Sequence, residues 1–186
     1  SLPNTVLKVT AFTFERSTEI MQWYILMISK TAFSGNKRIE ARLTFTSNDA
    51  EGIGFLLNIP EPKERSGLES GYCVWIGSKK NPGIKLYRSH VVILEIPDQY
   101  VEQGEEAFIE IEKSDQNIKL SINKSVVINY QDSIPIVGMH VGLLMQDMDF
   151  SLTDFKVHIG SPHAMVGCLS IPDAFLASKN FNSALE

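Results

Sequence analysis

Glu110 and Glu112 stand two residues apart in "FIEIEK", where Ile109 and Ile111 alternate with them. In a strand that spacing puts both carboxylates on one face. Two such groups about 5 Å apart can hydrolyse a glycosidic bond with retention, one as nucleophile and the other as acid/base. The same spacing also describes an ordinary solvated strand face, and the neighbouring Lys113 favours that plainer role. No catalytic residue is assigned, and Glu110 and Glu112 are the only candidates.

Sugar recognition without turnover needs aromatic platforms beside polar groups. Tyr72, Trp75 and Tyr87 fall on adjacent expected strands, Trp23 and Tyr24 on another, and Glu40 and Arg42 could add hydrogen bonds. Against this, Trp75 sits in a strand that is apolar on both sides, where a core role is commoner. Asp147 and Asp149 in "QDMD", with Asp49 near a turn, are of the type that ligates calcium. Acidic turn residues usually serve the turn itself. No metal is therefore assigned, and calcium is the one cofactor these residues would suit.

The bulk properties exclude several classes. The chain has 186 residues, 44% of them hydrophobic, and a formal net charge of -5. A single domain of this size buries roughly 70% of its unfolded-chain surface. There is no basic stripe, so nucleic acid is not an expected partner. Cys73 and Cys168 lie far apart, and His90, His140, His158 and His163 are scattered without paired-ligand spacing. The longest apolar stretch, "SIPIVGMHVGLLM", is too short to span a bilayer and reads as a turn feeding a buried strand. No membrane contact is expected from this segment. Cysteine usage fits several compartments, so localisation is left unassigned.

The elements that would position these residues are strands. "RIEARLTFTS" alternates Ile39, Ala41, Leu43 and Phe45 against Arg38, Glu40, Arg42 and Thr44; "NIKLSIN" does the same with Ile118, Leu120 and Ile122. "GIGFLLNI", "GYCVWIGS", "VVILEIP" and "MHVGLLM" read as more deeply buried strands. Turn clusters such as "SGNK", "SKKNPG" and "NKS" separate them. About a dozen short strands without interleaved helices predict an all-β, two-sheet antiparallel sandwich over 1–160. A linker is expected over 161–169. Ser170, Pro172 and Asp173 then supply start signals for a short helical segment over 170–186.

The middle of the chain resembles a concanavalin-like or laminin-G-like jelly roll. The resemblance is carried by "GIGFLLNI", "SGYCVWIGSKKNPGIKLYRS", "IEIEKSDQNIKLSINKSVVINYQD" and "HVGLLMQDMDFSLTDFKVH". It implies a hairpin from the "IxLxIN" and "VVxxY" strands. Glucanases of that superfamily carry an ExDxE pattern, from which this chain departs at Glu112 and Ser114. "DAFLASKNFNSALE" resembles the first half of a tetratricopeptide repeat, with departures at Pro172 and Lys179. A sandwich followed by such repeats is similar to the C-terminal region of the chlamydial serine/threonine protein kinase D family. That resemblance implies a larger, membrane-anchored bacterial parent with its kinase domain elsewhere. Within this chain "GIGFLL" has Leu57 where a kinase glycine loop has its third glycine, and no HRD or DFG follows.

The reading is a non-catalytic sensory or interaction module that takes a glycan or a protein. A hydrolase using Glu110 and Glu112, or a plain structural spacer, are the alternatives.

Overall fold

The computed structural model describes residues 4–6, 9–16, 23–29, 31–60, 71–161 and 164–171, with side chains over 27–29, 31–60 and 71–159. Among the described residues, fourteen strands form two seven-stranded sheets. The first has the order β1 (Asn4–Val6), β14 (Ala164–Ile171), β13 (Phe150–Ser161), β4 (Lys37–Phe45), β9 (Ala107–Ser114), β10 (Asn117–Ile122) and β11 (Ser125–Gln131). The second has β2 (Val9–Arg16), β3 (Trp23–Ser29), β12 (His140–Met145), β5 (Gly52–Ile59), β6 (Tyr72–Gly77), β7 (Ile84–Arg88) and β8 (Val91–Ile96). All pairings are antiparallel except β1 with β14 at one edge. The expected two-sheet sandwich is what forms. Among the described residues no helix is long and apolar enough to cross a membrane.

Period-2 alternation makes the core. Ile39, Ala41, Leu43 and Phe45 of β4 and Ile109 and Ile111 of β9 are fully buried, facing Ile53, Phe55, Val74 and Ile76 of the other sheet. Phe55 stacks on Phe155 across the layer, with ring centroids 6.5 Å apart. The β10–β11 hairpin turns through Asn123 and Lys124, both at positive φ (50° and 68°), as a two-residue turn matching the strand twist requires.

The "GIG" of β5 is a packing device. Gly54 pairs with Trp75 across β5 and β6. A Cβ at Gly52 would stand 2.6 Å from Trp75 Cζ2, and one at Gly54 2.8 Å from Cys73 Sγ. The small residues admit the indole to the outer face of the second sheet, as their strand setting suggests.

The C-terminal end differs from expectation. The stretch expected as a linker is largely strand: Ala164–Ile171 pairs with β13 from Ser161↔Ala164 to Phe155↔Ile171. Pairing satisfies the backbone of an apolar "AMVGCLSI" that a linker would leave to water. Ser170, expected as a helix cap, is in that strand, and the expected helix beyond it lies outside the described residues.

Candidate functional site: the charged outer face of the first sheet

Four of the residues singled out by type fall on one surface. In the β4–β9 register Glu40 lies opposite Glu110, Arg38 opposite Glu112, and Arg42 opposite Phe108. Each stands on the side of its strand away from the core. Phe108 shares the parity of Glu110 and Glu112, so the strand pattern itself held the signal for this overlooked aromatic.

Charged groups surround the Phe108 ring. Arg42 Cζ lies 5.4 Å and Lys124 Nζ 4.5 Å from its centroid, within range of cation–π attraction. Arg42 Nη1 is 2.9 Å from Glu106 Oε1, and Arg42 Nε is 3.1 Å from Asp154 Oδ2. Hydrogen bonding to Glu106, with Asp154 adding to it, pushes the guanidinium further up. A bulge brings Asp154 there: between Thr153↔Arg42 and Lys156↔Glu40 the β13 strand carries one extra residue, and Asp154 takes φ 50°.

The carboxylates are neutralised. Glu110 meets Lys124 at 3.0 Å, Glu112 meets Lys119 at 2.8 Å, and Glu40 meets Arg38 at 3.1 Å and His158 at 3.2 Å. The glycosidase pairing of Glu110 with Glu112 finds no support in this arrangement. Each acid is ion-paired to its own lysine, Glu110 to Lys124 and Glu112 to Lys119, as on an ordinary solvated strand face.

The other expected residues lie elsewhere. Tyr72 is 0% exposed and points between the sheets; its hydroxyl donates to Asp132 Oδ2 at 2.5 Å and accepts from Ile136 N–H at 2.8 Å. Trp75, 7% exposed, belongs to a second cluster on the outer face of the second sheet with Ile28, Leu56, Cys73 and Leu144, and Tyr87 packs against it. Burial pushes the Cys73 thiol up. Trp75 and Tyr87 are thus separated from Arg42 and Glu40 by the whole sandwich. The aromatic residues and the polar pair do not form one groove, because Glu40 and Arg42 lie on the other sheet and residues 72 and 75 have opposite parity on theirs.

Asp147 organises a turn. Its carboxylate accepts from Glu51 N–H at 2.9 Å and Asp149 N–H at 3.0 Å. Beside it Lys80 pairs with Glu51 at 2.6 Å and donates to the Asp49 carbonyl at 3.3 Å. Among the described residues no three His, Cys, Asp or Glu side chains are placed to hold a metal.

The chain is 41% identical over 171 residues to "Serine/threonine-protein kinase PknD" of Protochlamydia amoebophila, covering 92% of this chain and 17% of that protein. It is thus related to one segment of a bacterial kinase. The chain spans only 17% of the length of the curated relatives it first matches. No protein-family model matches it. Among solved structures the fold is similar to the carbohydrate binding module CBM66 from Bacillus subtilis, with TM-score 0.60 and 14% identity over 83% of this chain and 96% of that one. It is also similar to the Emp47p carbohydrate recognition domain, with TM-score 0.56 and 13% identity over 86% and 95%. At such identities the likeness is one of fold.

Proposed function

We propose that this chain is a non-catalytic binding module of a larger bacterial serine/threonine protein kinase, and that it takes a glycan on the outer face of its first sheet. The observation carrying this reading is the cluster of Arg42, Phe108, Glu40 and Glu110 on one solvent-facing surface. It combines an aromatic ring with donors and acceptors at fixed spacing, which is what sugar rings and their hydroxyls require. The similarity to one segment of the kinase relatives supports a kinase parent. The carbohydrate-binding fold neighbours supply an analogy for the ligand class, since fold alone does not assign one.

A thermal-shift screen of the chain against a glycan panel, with and without calcium, tests the reading. A ligand at a hundredfold excess over its Kd adds about 2.7 kcal/mol of stability. The expected result is a shift with one sugar class that Phe108→Ala abolishes. A flat response across the panel removes the glycan and leaves a protein-binding or spacer role.

A further inference from the structure

We propose that Lys37 and Asn58 join through an intramolecular isopeptide bond that ties the first sheet to the second. Lys37 opens β4 of the first sheet, and Asn58 lies near the end of β5 of the second. Lys37 Nζ is 2.6 Å from Asn58 Oδ1, and both residues are buried. A C=O bond is about 1.2 Å long, so the amine stands within about 3.8 Å of Asn58 Cγ, close to attack distance.

The amine is set up as a nucleophile. Among the described residues Lys37 forms no ion pair, and its partners are two neutral oxygens, Asn58 Oδ1 and the Gly138 carbonyl at 3.3 Å. Burying an ammonium without a counter-charge is costly, whereas a neutral amine fits. Lys113, directly opposite Lys37 in the β4–β9 register, is buried too and adds like charge, while Asp115 and Asp132 act on Lys113. Burial and Lys113 bring the Lys37 pKa to about 8. Roughly one amine in ten is then neutral at pH 7, against about one in 3,000 at the ordinary value. A desolvated lysine beside a second cation is an activated nucleophile.

Asn58 is turned toward it by the backbone. Simple alternation would point Asn58 away from Phe55 and Leu57, which lie in the core. The β5–β12 pairing, however, shifts register between Gly142↔Leu56 and His140↔Ile59, and Asn58 takes φ 51°. Asparagine tolerates that left-handed conformation better than most residues, and it brings the amide between the sheets. Asn58 Nδ2 donates to the Ile136 carbonyl at 2.9 Å, which leaves the oxygen side of the amide to the amine.

The step balances within the chain. The Nζ–Cγ bond forms, the Cγ–Nδ2 bond breaks, one Nζ proton passes to the leaving nitrogen, and ammonia departs. Once linked, Lys37 no longer titrates, so its pH response belongs to the unlinked chain.

The test is denaturing mass spectrometry of the 186-residue chain, intact and after protease digestion. The intact mass is expected to fall short of the sequence mass by one ammonia, and digestion to release a branched peptide joining Lys37 to Asn58. Lys37→Arg should restore the full mass; the branched peptide decides the matter whether or not that variant folds. In chain purified unfolded at pH 5 and then refolded, ammonia loss should speed up about tenfold per pH unit toward pH 8 and level off above it. A full mass after incubation of the folded chain at pH 9 overturns the proposal. So does a deficit that survives Lys37→Arg, which would mark a cyclic imide at an asparagine elsewhere, or a rate that stays flat between pH 6 and 8.

Discussion

Gly54 and Trp75 are direct cross-strand partners, and the indole lies where a side chain on β5 would otherwise stand. A methyl at Gly54 would meet Cys73 Sγ at 2.8 Å and Trp75 Cε3 at 3.4 Å. Gly54→Ala should therefore cost about 1–3 kcal/mol, the usual penalty for overpacking. Gly52→Ala should cost more, because φ is +141° there as well. Trp75→Leu should reduce the Gly52→Ala penalty in part, since it removes the two indole atoms that clash but leaves the Ile76 carbonyl oxygen at 2.7 Å. Urea unfolding of the two single variants and the double measures this coupling directly.

Tyr72, Asp132 and Arg88 tie β6 and β7 to the start of the 132–139 loop, with Arg88 Nε 2.8 Å from Asp132 Oδ2. Burial alone would raise the Asp132 carboxyl, but hydrogen bonds from Tyr72, Arg88 and Ile134 N–H hold it below its ordinary value of 3.8. A depressed acid stabilises the fold above the unfolded value and loses that contribution as pH falls through it. Melting temperature followed downward from pH 5 should drop less steeply in Asp132→Asn than in the unmutated chain. Tyr72→Phe orphans the Ile136 amide and should cost about 1–3 kcal/mol. Its hydrogen exchange should localise the loss to the loop.

Lys37 behaves in the opposite sense. Burial, with Lys113 beside it, lowers its pKa from 10.5 to about 8. Between those two values the unfolded chain binds more protons than the folded one, so stability must rise with pH. The unmutated chain should gain stability from pH 8 to 9.5 relative to Lys37→Met. A parallel pair of profiles would remove Lys37 as the source.

Much of this was open to a reader of the sequence, and the failures have physical causes. Alternation in "RIEARLTF" and "FIEIEK" assigns inner and outer faces correctly for β4 and β9. The same rule places Tyr72 and Trp75 on opposite faces, so grouping them as one platform went against the pattern. Lys37 and Lys113 continue the inward parity of their strands and are 4% exposed. Nothing local announces the partners of Lys37, which are distant in sequence: it bonds Asn58, 21 residues away, and Gly138, 101 residues away. The bulge that turns Asp154 toward Arg42 is likewise a property of the β4–β13 pairing and not of "SLTDFKV" alone.

The central claim is that ligand meets the β4–β9 face. It is tested most directly by titrating the isotope-labelled chain with panel glycans and following backbone amide shifts. The account predicts saturable perturbations at 38–42, 106–112 and 123–124, absent in Phe108→Ala. Perturbations centred on Trp75 and Tyr87, or none with any glycan, would contradict it.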